Sequence, residues 1–313
     1  TLLASSAASD VYKRQLQYEL PADFDLSAQV PRNTIMGAII GIVAILAMAI
    51  ILTVYIRKRQ KGGIFDIIVG VAVYMIFFYF ASNTVANLLF GTILKSFVDV
   101  KPVLITVIAL TTTLVPMFGR LLSLKLMGKN MNTVADAYTV GMGIMLTEGF
   151  LYMVDLLMVI VSCNTINKMG LESILSNATS QDEFTSTLTS LTEMINYRAS
   201  DFIYMSVIAI ALMVFHVGVT SLIFAAYQKK EGKRLYIFSF VTYFIIQLIG
   251  AMANYDVIPD GAKALITALV AALVAYIGLK VYNIHYKNEE PREKARIEKE
   301  NTKMPKFDNL SKL

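Results

Sequence analysis

The chain has 313 residues, 56% of them hydrophobic and 16% charged, with a mean hydropathy of +0.59. Soluble domains carry about 25% charged residues, so a water-soluble fold is excluded for most of this chain. The net charge of +5 would suit nucleic acid, but the basic residues flank apolar spans, a placement that points to membrane orientation instead.

Residues 1–15 are set aside. Ser5–Gln15 reads SSAASDVYKRQ, which resembles translated adapter tails at the ends of metagenomic reading frames, and the chain begins with Thr. This stretch is expected to be an artefact. Residues 16–33 follow as an outer N-terminal segment. A hydrocarbon core about 30 Å thick needs about 20 apolar residues in a helix. The first such span is 34–56, uncharged and followed by Arg57, Lys58, Arg59 and Lys61. The second, 64–94, carries Asp66 near its start and Asn83 and Asn87 further on, and reads as a long or broken helix. The third is 102–126 and contains Arg120. The fourth is 135–161 and contains Glu148 and Asp155.

An outer loop over 162–200 is rich in Ser, Thr, Asn and Glu. Within it, Ser180–Ile195 predicts an amphipathic surface helix with Phe184, Leu188, Leu191 and Ile195 on one face. Asn177-Ala-Thr fits a glycosylation sequon, relevant only in a eukaryotic secretory setting. The remaining spans are 202–227 with His216, 235–252 and 264–282. They complete a transmembrane bundle over 34–286. The tail, 287–313, is charged, contains Pro and reads as cytoplasmic, with a helical stretch over 289–301. No internal repeat is visible, so an inverted-repeat transporter lacks that signal.

The loops after the first, third, fifth and seventh spans are rich in Lys and Arg, and the intervening ones are poor in them. Seven spans let every loop obey the positive-inside rule. The expected fold is therefore all-α: a polytopic membrane helical bundle of about seven spans, N-terminus outside and C-terminus inside, with the lipid bilayer as its main partner.

Ionisable residues inside spans are expensive, by about 2.5–3.5 kcal/mol on insertion scales, and they face the bundle interior or a cavity. The candidates are Arg120, Glu148, Asp155 and His216. Arg120 lies near the cytoplasmic end of its span, within reach of the interface by snorkelling. Glu148 and His216 lie near mid-span at similar depth. Such a pair suits a hydrogen bond or ion pair, two ligands of a metal, or part of a proton path; polar glue between helices is the plainest role. Asp155 lies about two turns after Glu148 on the same face, closer to the outer interface. Gly141 and Gly143 suit close helix packing. A single cysteine, Cys163, rules out a Cys-rich metal site, and the two histidines, His216 and His285, restrict His-ligated chemistry.

Three stretches carry a family resemblance. Pro116-Met-Phe-Gly-Arg120 precedes LLSLKLM; Gly141-Met-Gly-Ile-Met-Leu-Thr-Glu148 opens the middle of the fourth span; and Phe215-His216-Val-Gly-Val-Thr-Ser begins a third stretch that ends at Tyr227. With Lys61-Gly62-Gly63 before the second span, they resemble the YhfC-type intramembrane metalloproteases, which are similar in character to PrsW-like and CAAX-type membrane proteases. The resemblance covers most of the chain after residue 30. The family pattern has a Glu-Glu pair where this chain has Pro116 and Met117. In the family's G-x-G-H-G-G-x-E pattern the His falls on Ile144, and a later His expected in the sixth span is missing.

A hydrolytic zinc site needs about three protein ligands, an open position and a general base. The resemblance thus implies a protease scaffold that has lost most of its ligands, binding membrane-protein or peptide partners in a bacterial plasma membrane. Glu148 and His216 remain as remnants of a catalytic and metal site, and no cofactor is expected, zinc being the less favoured alternative. An active protease would gather Glu148, Asp155 and His216 around one metal. A small transporter would line a water path with Asn83, Asn87, Glu148 and His216. A purely structural or assembly subunit would use the charged tail as its contact surface.

Overall fold

In hydrocarbon every backbone N–H and C=O must be satisfied within its own segment, so long apolar stretches fold as helices. The computed structural model describes Tyr18, Leu20, Pro21 and residues 24–59, 63–97, 100–127, 133–228 and 232–285. Residues 1–15 and the tail 287–313, with its expected helical stretch, lie outside the described residues. All regular structure among the described residues is helical. In chain order, α1 covers Arg32–Arg59. The next helix, α2, is an α-helix over Ile64–Val73, widens to a π-helix over Tyr74–Ala81, returns to α over Ser82–Leu88 and ends in a second π stretch, Leu89–Ile93. Then come α3 (Lys101–Met127), α4 (Val134–Met169), α5 (Leu171–Leu175), α6 (Gln181–Asn196), α7 (Ala199–Gln228), α8 (Gly232–Asn254) and α9 (Asp260–His285). Seven of these, all but α5 and α6, are long and apolar enough to cross a membrane by length and composition.

Side-chain oxygens of Asp or Ser mark four helix starts. The first N–H groups of a helix have no partner inside it, and an oxygen placed there satisfies one of them and favours the positive end of the dipole. Asp66 Oδ2 accepts from the Gly63 amide (2.9 Å) at α2. Asp136 Oδ2 accepts from the Thr133 amide (2.9 Å) while the Asp136 amide donates to Thr133 Oγ1 (3.3 Å) at α4, a capping box. The Glu183 amide donates to Ser180 Oγ (3.2 Å) at α6, and Asp201 Oδ2 accepts from the Arg198 amide (2.8 Å) at α7.

The fourth span runs on to Met169 instead of ending at Val161. The polar residues there stay helical by bonding back to their own helix: Asn164 Nδ2 donates to the Ile160 carbonyl (2.9 Å) and Thr165 Oγ1 to that of Val161 (2.9 Å). The helix stops at Gly170, whose φ of +76° suits a residue without Cβ. Most of the expected outer loop 162–200 is therefore helix, and α6 occupies the stretch read as amphipathic.

The described residues divide into two compact units. The first combines the chain up to Ile45 with Leu151–Ser206. Its core joins the N-terminal segment to the α4–α6 region: Val30, Cys163, Ile166, Leu171, Leu175, Phe184 and Leu191 are buried together, with Tyr18, Leu20, Phe24 and Leu188 packed against them. Asn167 ties the segment down as a backbone-like clamp, accepting from the Val30 amide (2.8 Å) and donating to the Val30 carbonyl (3.0 Å). The second unit combines Leu46–Phe150 with the described residues from Val207 onward. In it α3 packs on α8 and α2, and α8 on α9. Gly70 of α2 and Gly143 of α4 cross backbone to backbone: a Cβ on Gly70 would meet the Val140 carbonyl, and one on Gly143 the Ile67 carbonyl. Gly141, also on α4, faces the Val217 backbone of α7 at a longer distance, where a Cβ would stand 3.0 Å from the Val217 Cα.

Candidate functional site

Among the described residues of the second unit, side chains from five helices meet in a buried polar cluster. Arg120 comes from α3, Glu148 from α4, His216 from α7, Tyr243 from α8 and Phe78 from the π stretch of α2. Arg120 is 0% exposed, His216 2% and Tyr243 1%. The sequence places Arg120 near a membrane interface, within snorkelling reach; the structure instead turns it fully inward. The reason is chemical: a guanidinium reaching no water needs a partner, and His216 supplies one.

Arg120 Nη2 lies 2.5 Å from His216 Nδ1. On the other side of the ring, His216 Nε2 contacts Glu148 Oε2. Guanidinium has only donors, so Nδ1 must accept. The ring proton then sits on Nε2, the nitrogen that faces the Glu148 carboxylate. The imidazole is thus a neutral bridge between a cation and an anion, and the cluster carries no net charge into the bundle. Aromatic rings enclose it. The Arg120 guanidinium carbon sits 4.7 Å from the Phe78 ring centre and 5.0 Å from that of Tyr243. Phe78 meets the imidazole edge-on at 5.3 Å between centres. Such cation–π contacts contribute about 2 kcal/mol when desolvated.

The local fold explains this convergence. Phe77 packs on Gly119, where any Cβ would collide with its ring, while its neighbour Phe78 reaches Arg120. Two consecutive residues of α2 thus face two consecutive residues of α3. The wider π turn allows this, and Ser82 Oγ, donating to the Phe77 carbonyl (2.7 Å), ties it. Arg120 keeps Nε and Nη1 without hydrogen-bond partners among the described residues, as does Thr220 Oγ1.

The structure therefore brings together Arg120, Glu148 and His216. Asp155 is exposed on α4, and the arrangement of Glu148, Asp155 and His216 around one metal is not formed: among the described residues no group of three or more His, Cys, Asp or Glu side chains could hold an ion. Asn83 and Asn87 are exposed, and Asn83 Nδ2 donates to the Tyr79 carbonyl of its own helix (2.8 Å). The donor set does not fit a zinc ion, because a His ligand needs a free ring lone pair and both nitrogens of His216 are engaged. Tyr243 and Phe78 escape sequence reading, since neither carries a charge or a motif. The weak signal for Tyr243 is its place in the sixth span, where the family resemblance calls for a histidine.

Fold and site together define an all-helical, multi-pass membrane protein with seven candidate spans and a buried Arg–His–Glu network. No protein-family model, no curated protein and no solved structure matches this chain.

Proposed function

We propose that the chain is a non-hydrolytic relative of the YhfC-type intramembrane metalloproteases, a protein of the bacterial plasma membrane that binds membrane-protein or peptide partners without cleaving them. One observation carries the reading: both ring nitrogens of His216 are occupied, one by Arg120 and one by Glu148. The remnant of the metal site is thereby converted into a neutral clamp that joins α3, α4 and α7. The motif departures at Pro116, Met117 and Ile144 support the same reading.

The test is zinc content by mass spectrometry on detergent-purified protein, with a casein or transmembrane-peptide cleavage assay beside it. Zinc well below one ion per chain and no cleavage are expected. Stoichiometric zinc with cleavage abolished by Glu148→Gln overturns the proposal.

The orientation belongs to the same reading, N-terminus outside and C-terminus inside. It rests on exposed Arg57, Lys58, Lys125, Lys233 and Arg234 at one set of helix ends. In a Cys163→Ser background, cysteines at Lys58 and Lys125 should resist an impermeant maleimide in intact cells, and one at Arg198 should react. The reverse pattern inverts the topology.

A further inference from the structure

We propose that the first unit carries a binding site for one anionic phospholipid, in the groove between the start of α1 and the end of α4. The groove encloses about 660 Å³, with Arg32, Met36, Ile39, Ile160, Asn164 and Asn167 in its lining. Its two walls are single helix faces. Arg32, Ile35, Met36 and Ile39 stand at i, i+3, i+4 and i+7 on α1, and Ile160, Asn164 and Asn167 at i, i+4 and i+7 on α4.

The helices run in opposite senses here, and polarity agrees across the gap. Arg32 stands at the outermost turn of α1, as Asn164 and Asn167 do near the end of α4, while Ile39 and Ile160 lie further toward the middle of each span. The uncharged stretch of the first span begins directly after Arg32 and runs to Ile56. The groove thus straddles the membrane interface, polar where headgroups lie and apolar where acyl chains begin.

Charge selects the occupant. Arg32 is exposed, and no ion pair or hydrogen bond of its side chain appears among the described residues. Asn167 holds both backbone groups of Val30 and Asn164 bonds Ile160, while Gln29 adds a neutral carboxamide to the lining. The Arg32 guanidinium is the cationic donor in the groove's lining, and its fork geometry suits a phosphate. Below it, Met36 and Ile39 are 45% and 39% exposed, and the apolar strip continues along α1 through Ile40 and Val43, which are exposed as well. A phosphate on Arg32 with an acyl chain along Met36, Ile39 and Ile160 uses both halves of the groove. A soluble phosphate would leave the apolar half bare.

Native mass spectrometry of the full chain, released from mixed micelles, tests this. The probes are phosphatidylglycerol and phosphatidylcholine with identical acyl chains, with inorganic phosphate as the soluble competitor. Retention of one phosphatidylglycerol in preference to phosphatidylcholine is expected, reduced about tenfold by Arg32→Gln. Arg198→Gln, an exposed arginine of the same unit outside the groove, should leave retention unchanged. Equal retention of both lipids, an R32Q protein that binds like the parent, or displacement of the lipid by millimolar phosphate overturns the proposal. If R32Q alters the unfolding midpoint, Arg32→Lys decides: keeping the charge must restore retention, and failure to do so refutes the site. The test is independent of zinc content and cleavage, so it stands or falls apart from the protease-relative reading.

Discussion

At the scale of single residues, the balance at His216 governs the bundle interior. Removing one partner from a buried ionic network leaves an uncompensated charge and costs about 3–5 kcal/mol, whereas replacing the whole set with apolar groups can be neutral or better. His216→Ala is therefore expected to lower stability by about 3–5 kcal/mol, measured by denaturant unfolding in detergent. The triple replacement of Arg120 by Met, Glu148 by Leu and His216 by Leu should recover most of that loss. A triple variant as unstable as the single one would show that the network is not the source. The charged members of this cluster were legible in the sequence, because an ionisable residue within an apolar span has few alternatives to facing inward. Arg120 was legible only in part. Its distance from the end of the span left snorkelling open, and only the imidazole 96 residues further along the chain closes it. Tyr243 and Phe78 were not legible, since aromatic residues are common throughout the spans.

At the scale of elements, the helix crossings follow from where backbone meets backbone. Gly143→Ala puts a methyl group against the Ile67 carbonyl, which no side-chain rotation can relieve, whereas Gly250 has open space around it. Thermal unfolding in detergent should show a clear loss for Gly143→Ala. Gly250→Ala should be neutral or gain up to about 1 kcal/mol, because Gly is the poorer helix former.

The start of α6 makes a separate prediction. The Glu183 carboxyl is held below the ordinary carboxylate range by the Thr179 amide, and next by the Thr179 hydroxyl. A carboxyl depressed in the folded state contributes stability above its unfolded pKa and loses it as pH falls through the folded value. The protection factors of the first α6 amides, corrected for the intrinsic exchange rate at each pH, should therefore fall on acidification, and Glu183→Gln should abolish that fall; an unchanged protection profile in Glu183→Gln sinks it. Ser180→Ala should weaken the same turn by about 1 kcal/mol at any pH. These starts were readable, since Ser-x-x-Glu is a local pattern. The π stretches of α2 were not, because they depend on Phe77 finding Gly119 on another helix.

At the scale of the whole molecule, the first unit binds the N-terminal segment into a core with α6. Cys163 lies in that core, 0% exposed. Alkylation of Cys163 by a permeant maleimide is expected to be negligible in the native protein and complete after unfolding; rapid native labelling would contradict the packing of Tyr18, Phe24 and Val30 above it. The number and approximate limits of the apolar spans follow from composition alone, since about twenty uncharged residues leave the backbone no option in lipid except a helix. The sequence also determined which ionisable residues those helices carry. The tertiary structure decided the rest. Arg120, Glu148 and His216 meet through contacts between helices far apart in the chain, and pairing of that kind leaves no periodic trace. For the same reason only the fold could show that both nitrogens of His216 are engaged, and with them the chemistry open to the site.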